Sequence, residues 1–241
     1  MNPTPGSSRK KIDVAARHGL NHFIFDYYWY NDGPYLNRCL DRGYLGSSNH
    51  QKVEFALMWA NHDWLDIHPA RAGVRAPLLY PGALTRDAWD WMTDNIVTRY
   101  FAHPSYWRPG GLPYFSIYEL YKFVDSMGGT EEAAAALQQL RNKAGRMHIN
   151  AVVWGVKLLP SETTITNPNQ MLKILGIDSV TSYGLDPPLP AHHVSVGALR
   201  ACGAVHVLLL AQGRGRLQRP LSSQRHNGLG CVSPHLPVRY V

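Results

Sequence analysis

Apolar residues in this chain fall into short unbroken runs, and each run stops at a polar or aromatic group. Val53 to Asp66 (VEFALMWANHDWLD) shows it best: six apolar residues, Phe55 to Ala60, end at Asn61, His62 and Asp63. A strand buried on both faces reads this way when its carboxy-terminal end opens into a polar site. His22 to Asn31 (HFIFDYYWYN) and Leu112 to Lys122 (LPYFSIYELYK) repeat the design, each with an apolar centre that ends in rings and a carboxylate. Ile149 to Val156 and Asp178 to Ser182 are two more such runs, so five strands are expected.

Helical repeats separate the runs. Lys10 to His18 carries Ile12, Val14, Ala15 and Ala16 at helical spacing, and Gly19 stands where a terminating glycine belongs. Pro34 suits the first turn of a helix in which Leu36, Cys39 and Leu40 share a face. Thr85 and Asp87 open a helix to about Phe101, with Trp89, Met92, Ile96 and Val97 facing inward. Thr130 is placed to cap a helix from Glu131 to about Lys143, acidic at its start and basic at its end. Asn167 to Leu175 is a short helix followed by Gly176, and Leu65 to Ala83 is long enough to be an active-site loop. Buried strands alternating with helices imply parallel pairing through right-handed crossovers. The predicted fold class is therefore α/β, of the (β/α)8 TIM-barrel type but incomplete, since about five strands are readable and closure takes eight.

Charge narrows the partners. Formal net charge is +7, which by itself suggests an acidic partner such as nucleic acid. Its distribution argues otherwise. Residues 1–183 hold 18 Lys/Arg against 16 Asp/Glu, a balance of +2, whereas residues 184–241 hold six Arg and only Asp186, a balance of +5. The excess belongs to the tail, and nucleic acid is not an expected partner. Cys39, Cys202 and Cys231 lack zinc-ligand spacing and do not form a disulfide framework. No apolar run reaches the ~20 residues of a membrane span, and Met1 to Arg9 has no apolar signal region. No membrane partner is expected, and localisation and oligomeric state stay open.

Beyond Tyr183 the composition changes. Of 26 Phe, Trp and Tyr residues, 25 precede Gly184 and only Tyr240 follows. We expect residues 1–183 to form a partial barrel and 184–241 an atypical, poorly structured or out-of-frame tail. Codons for Gly184 to Pro188 read one base later can spell VWIHH, which would continue the fifth strand as TSYVWIHH. The same offset over His226 to His235 can spell TMGWDVSPR.

The segments IDVAARHGLNHFIFDYYWYNDGPYL and FALMWANHDW resemble the glycoside hydrolase family-99-like domain, also called WbsX-like, of bacterial polysaccharide gene clusters. That family pairs an aromatic YYW-type strand with a WANE-W segment at matching spacing. The resemblance covers about Lys10 to Tyr183. It implies a (β/α)8 barrel acting on glycans, either as a glycosidase or, as the group is often described, as a glycosyltransferase. Two positions depart from it. His62 stands where WANE has its carboxylate, with Asp63 one position later. The endomannosidase branch, a more remote likeness, uses two glutamates three apart; Glu119 matches the first and Lys122 occupies the second.

Glycoside hydrolysis uses two carboxyl groups, one protonated and one ionised. Glu119, at an apolar strand end between Tyr118 and Tyr121, is the candidate acid/base, with a structural ion pair to Lys122 or a barrel Arg as the alternative. Asp63 is the first candidate partner and Asp26 the second, although Asp26 also suits a backbone contact at the barrel rim. His62 is placed to meet a sugar hydroxyl or orient Asp63, and Asn61 both donates and accepts. Tyr28, Trp29, Trp59 and Trp64 are candidate stacking platforms, with Tyr118, Trp154 and Tyr183 at other strand exits. Strand alternation puts Trp59 and Asn61 on one face, which predicts that Trp59 looks into the barrel. His62, Asp63 and His68 lie close in sequence but lack a recognised metal spacing, and no cofactor is implied. A nucleotide-sugar transferase would need a phosphate loop or a DxD-like pair, which the chain lacks. A carbohydrate-binding remnant without activity is the third reading.

Overall fold

The five apolar runs become five parallel strands. The computed structural model describes residues 5–69, 73–74, 76–153 and 168–182. Helix α1 (Pro5–Arg17) leads into strand β1 (His22–Tyr30), which doubles back into a short antiparallel strand β2 (Gly33–Tyr35). A π-helical turn at Cys39–Tyr44 and a 3-10 turn at His50–Lys52 bring the chain to β3 (Glu54–Trp59). The long connection after β3 contains a hairpin of β4 (Trp64–Leu65) and β5 (Leu78–Tyr80). Helix α2 (Arg86–Asn95) runs on as a π-helical turn over Ile96–Phe101, and β6 (Tyr114–Ile117) comes next. Helices α3 (Leu120–Met127) and α4 (Thr130–Ala144), strand β7 (His148–Val153), helix α5 (Pro168–Leu175) and strand β8 (Ser179–Ser182) complete the described part.

The sheet order is β2-β1-β3-β6-β7-β8, and every pair except β1–β2 is parallel. Each new parallel strand is added beside the previous one, always on the same side. A doubly wound sheet would reverse direction at a switch point, whereas a barrel keeps adding strands in sequence. The architecture is therefore an incomplete (β/α) barrel. Among the described residues, no helix is long and apolar enough to cross a membrane.

Alternation along the strands separates two environments. Tyr27 and Trp29 of β1, Phe55, Leu57 and Trp59 of β3, and Phe115 and Ile117 of β6 are buried against the helical layer. Each such side chain contributes about 1.5–3 kcal/mol by leaving water. The opposite face of β6, β7 and β8 is polar. Asn150 Nδ2 donates to Ser116 Oγ (2.9 Å) and to Thr181 Oγ1 (3.0 Å), and its Oδ1 accepts from Ser179 Oγ (2.8 Å). With its one proton given to Asn150, the Ser179 hydroxyl accepts from His148 Nε2 at 2.7 Å.

Two local expectations are corrected and one helix is added to them. The stretch from Pro34 does not begin a helix: Gly33 takes φ 115° and β2 pairs back onto β1, after which only a π-helical turn forms. An added Cβ at Gly33 would lie 2.9 Å from the Trp91 ring of α2, so tertiary packing as well as dihedral freedom keeps glycine there. Leu120–Met127 is a helix that the sequence reading did not name, beginning directly after the strand exit at Glu119. Thr130 lies inside the first turn of α4, whose N-cap is Gly129. By contrast Thr85 does cap α2, its side chain accepting from the Ala88 amide at 3.2 Å.

Candidate active site at the carboxy-terminal end of the sheet

Strands β1, β3 and β6 all end at the same edge of the sheet, so the residues just past their ends converge. His62 lies where they meet. Its ring centroid is 5.7 Å from that of Tyr28, 5.6 Å from Trp64 and 5.8 Å from Tyr118. Tyr35 of β2 closes one side, 6.4 Å from Tyr28 and 5.9 Å from Trp64. His62 Nδ1 lies 3.0 Å from the carbonyl of Asp63. A carbonyl only accepts, so Nδ1 carries a proton, and in the neutral imidazole Nε2 is the acceptor.

Three acids surround this imidazole. Glu119 is half-buried, and burial pushes its carboxyl up; Lys122 and His62 oppose that rise while the Asp63 charge adds to it. Asp26 retains solvent-exposed surface but sits where protein walls displace much of its water, which raises its carboxyl against the pull of His62. Asp63 behaves differently. Its partial burial also resists ionisation, but the Gly82 amide (2.7 Å to Oδ1) and the Lys122 ammonium (2.8 Å to Oδ2) outweigh it and hold the carboxyl below its ordinary range. Two oxygens with two fixed partners make Asp63 an anchor. It ties the return limb of the β4–β5 hairpin to α3.

Gly82 fits that limb because its backbone lies flat on the Asn61–His62 peptide. A Cβ there would come within 2.6 Å of the His62 carbonyl carbon. Asn61 is fully buried, its Nδ2 donating to the Glu119 carbonyl (2.8 Å) and its Oδ1 accepting from the Glu119 amide (2.7 Å).

The structure thus brings together Asp26, Tyr28, Asn61, His62, Asp63, Trp64, Tyr118 and Glu119. Three of the residues expected to meet sugar are buried: Trp29, Trp59 and Asn61. Trp29 packs against Trp91 (4.8 Å) and Trp59 against Trp89 (5.4 Å) and Phe123 (5.9 Å), all in the helical layer. The face argument for Trp59 fails because β3 ends at Trp59 and the chain leaves the pleat before Asn61. Asn61 is spent on main chain and has no exposed surface. Trp154 and Tyr183 lie outside the described residues.

Sequence reasoning missed Tyr35 and the anchoring role of Gly82. The alternative of an ion pair between Glu119 and Lys122 does not form, since the Lys122 ammonium meets Asp63. The pattern carried one usable hint for Gly82: a Pro-Gly step at the return of a long loop.

The family model described as Glycosyltransferase WbsX matches residues 3–174. Among solved structures the chain is similar to the GH99 endo-alpha-mannosidase from Bacteroides thetaiotaomicron, with 16% identity and a TM-score of 0.45 over 75% of this chain and 44% of that one. The same enzyme in complex with bis-tris propane gives 16% identity and a TM-score of 0.39 over 75% and 46% of the two chains. The chain therefore spans less than half the length of these solved structures. Among curated proteins no sequence match is found.

Proposed function

The chain belongs to the WbsX glycosyltransferase family, and from that premise we propose that it acts on glycans, cleaving a glycosidic bond by carboxylate acid/base catalysis. The observation that carries this reading is the contrast around His62: burial pushes the Glu119 carboxyl up while Asp63, close by, is held below its ordinary range. Two titratable groups whose surroundings push them apart are what acid and base roles require. Tyr28, Trp64 and Tyr118 supply flat apolar faces with polar edges, which suit a sugar ring.

Glu119 is the proposed acid that protonates the leaving oxygen. Asp63 supplies the lowered carboxyl of that contrast but both its oxygens already have partners, so Asp26, whose carboxyl burial raises against the pull of His62, is the second carboxyl with open oxygens. His62 Nε2 is free to accept from a sugar hydroxyl. The family description favours a second reading, transfer of the glycosyl group to an acceptor other than water. The same acid would serve there, and only the nucleophile would differ.

The test is an assay of the purified protein on a panel of bacterial glycans, with and without sugar acceptors. Glu119→Gln should lower turnover by about 100- to 10,000-fold while glycan binding persists. Full activity in that variant removes Glu119 from the mechanism. Binding without turnover in the unmodified protein identifies a carbohydrate-binding remnant, and products that require an acceptor identify a transferase.

A further inference from the structure

The β3–β6 ladder ends where Tyr118 N donates to the Trp59 carbonyl at 3.1 Å. Beyond it there is no strand on either side, yet one more rung exists. The planar amide of Asn61 takes the place of a backbone peptide and makes both bonds of that rung to Glu119, at 2.7 and 2.8 Å. Glu119 needs such support. Its φ of −116° and ψ of 83° belong to neither the strand before it nor the helix after it, and α3 has no side-chain cap at this residue. Its carbonyl already accepts from Phe123 N at 3.0 Å to start α3, so the Asn61 donor is the second bond on that oxygen. Asn61 is 0% exposed. No water competes for the amide, and any change in it is passed to the Glu119 main chain.

We propose that Asn61 is the positioning residue for Glu119, gripping the main chain on both sides of its α-carbon and so setting where the carboxyl points. The proposal rests on the acid/base reading of Glu119 for its consequence in catalysis, but not for the grip itself. Other side chains in the cleft touch the Glu119 carboxyl only through charge. Among the described residues Asn61 alone is hydrogen-bonded through its side chain to both the amide and the carbonyl of Glu119.

The test compares the unmodified 241-residue protein with Asn61→Leu, which keeps the approximate shape and removes both bonds. Asn61→Ala, where water can replace the amide, serves should the leucine variant fail to fold. Carbon-13 NMR titration of the Glu119 carboxyl, assigned by its loss in Glu119→Gln, is the first readout. We expect its midpoint to move by about one pH unit in a variant whose far-ultraviolet spectrum is unchanged. On an active substrate kcat should fall about 100-fold with KM held, as expected for a misplaced reacting group.

A folded variant with an unchanged Glu119 titration overturns the proposal, even if it melts earlier. Failure of both variants to fold assigns Asn61 a structural role and overturns it as well. Should the unmodified protein cleave nothing, the proposed glycosidic activity fails, and the titration still decides the grip.

Discussion

A single carboxylate can serve as a catalyst or as a fastener, and at Asp63 the partners decide. Both oxygens are held, one by the Gly82 amide and the other by the Lys122 ammonium. The folded carboxyl is held below its ordinary value of about 3.9, and this fixes the sign of the pH effect. Stability from this group is present above the unfolded value and is lost as the pH falls through the folded one. Lys122→Met should therefore cost about 0.5–1 kcal/mol near neutrality, a modest figure because the pair is partly exposed. The difference from the unmodified protein should shrink towards zero on acidification, as read from urea midpoints at a series of pH values. A penalty that stays constant into strong acid would show that Lys122 acts through packing of its methylenes.

At the scale of elements, the strands were legible because burial on both faces leaves a continuous apolar run, and all five parallel strands lie where those runs fall. Elements set by contacts distant in sequence were hidden. The β2 hairpin depends on the Trp91 ring against Gly33, and the helix Leu120–Met127 begins directly at the strand exit with no loop to mark its start. The convergence of Asp26, His62, Asp63 and Glu119 was readable from three similar strand ends. Which side chains face the cleft was not, since β3 leaves its pleat at Trp59 and the two-residue alternation stops there. The polar face of β6, β7 and β8 was equally hidden, because Ser116, Asn150 and Ser179 are spread over three runs and become one network only after pairing. Asn150 has its partners on both neighbouring strands, so it fixes their register as well as satisfying their hydroxyls. Asn150→Leu should cost about 3 kcal/mol, through hydroxyls left buried without partners, and this would appear as a lower urea midpoint. A loss below about 1 kcal/mol would mean that the hydroxyls find other partners and that the network is dispensable.

The whole molecule inherits a problem from its topology. A closed barrel has no sheet edge, but among the described residues the order runs from β2 to β8 without returning. At one end β2 covers Tyr28 to Tyr30 of β1. At the other, β8 has no strand on its outer side among the described residues, and its sequence, Ser-Val-Thr-Ser, carries no charge to discourage pairing. Unpaired amides and carbonyls in a row are a template for another strand. The hairpin near the cleft adds exposed apolar surface, with Leu65, Leu78 and Leu79 at 42%, 56% and 62% exposure. We therefore expect the 241-residue chain to self-associate, with a light-scattering mass that rises with concentration. Two variants separate the sources. Val180→Lys puts a charge on the β8 edge and should return the mass towards the monomer's, whereas Leu79→Lys alters only the hairpin and should have the smaller effect. If Leu79→Lys restores the monomer and Val180→Lys does not, association runs through the hairpin and the β8 edge is already covered. A constant monomer mass in the unmodified protein would mean that neither surface is open in solution.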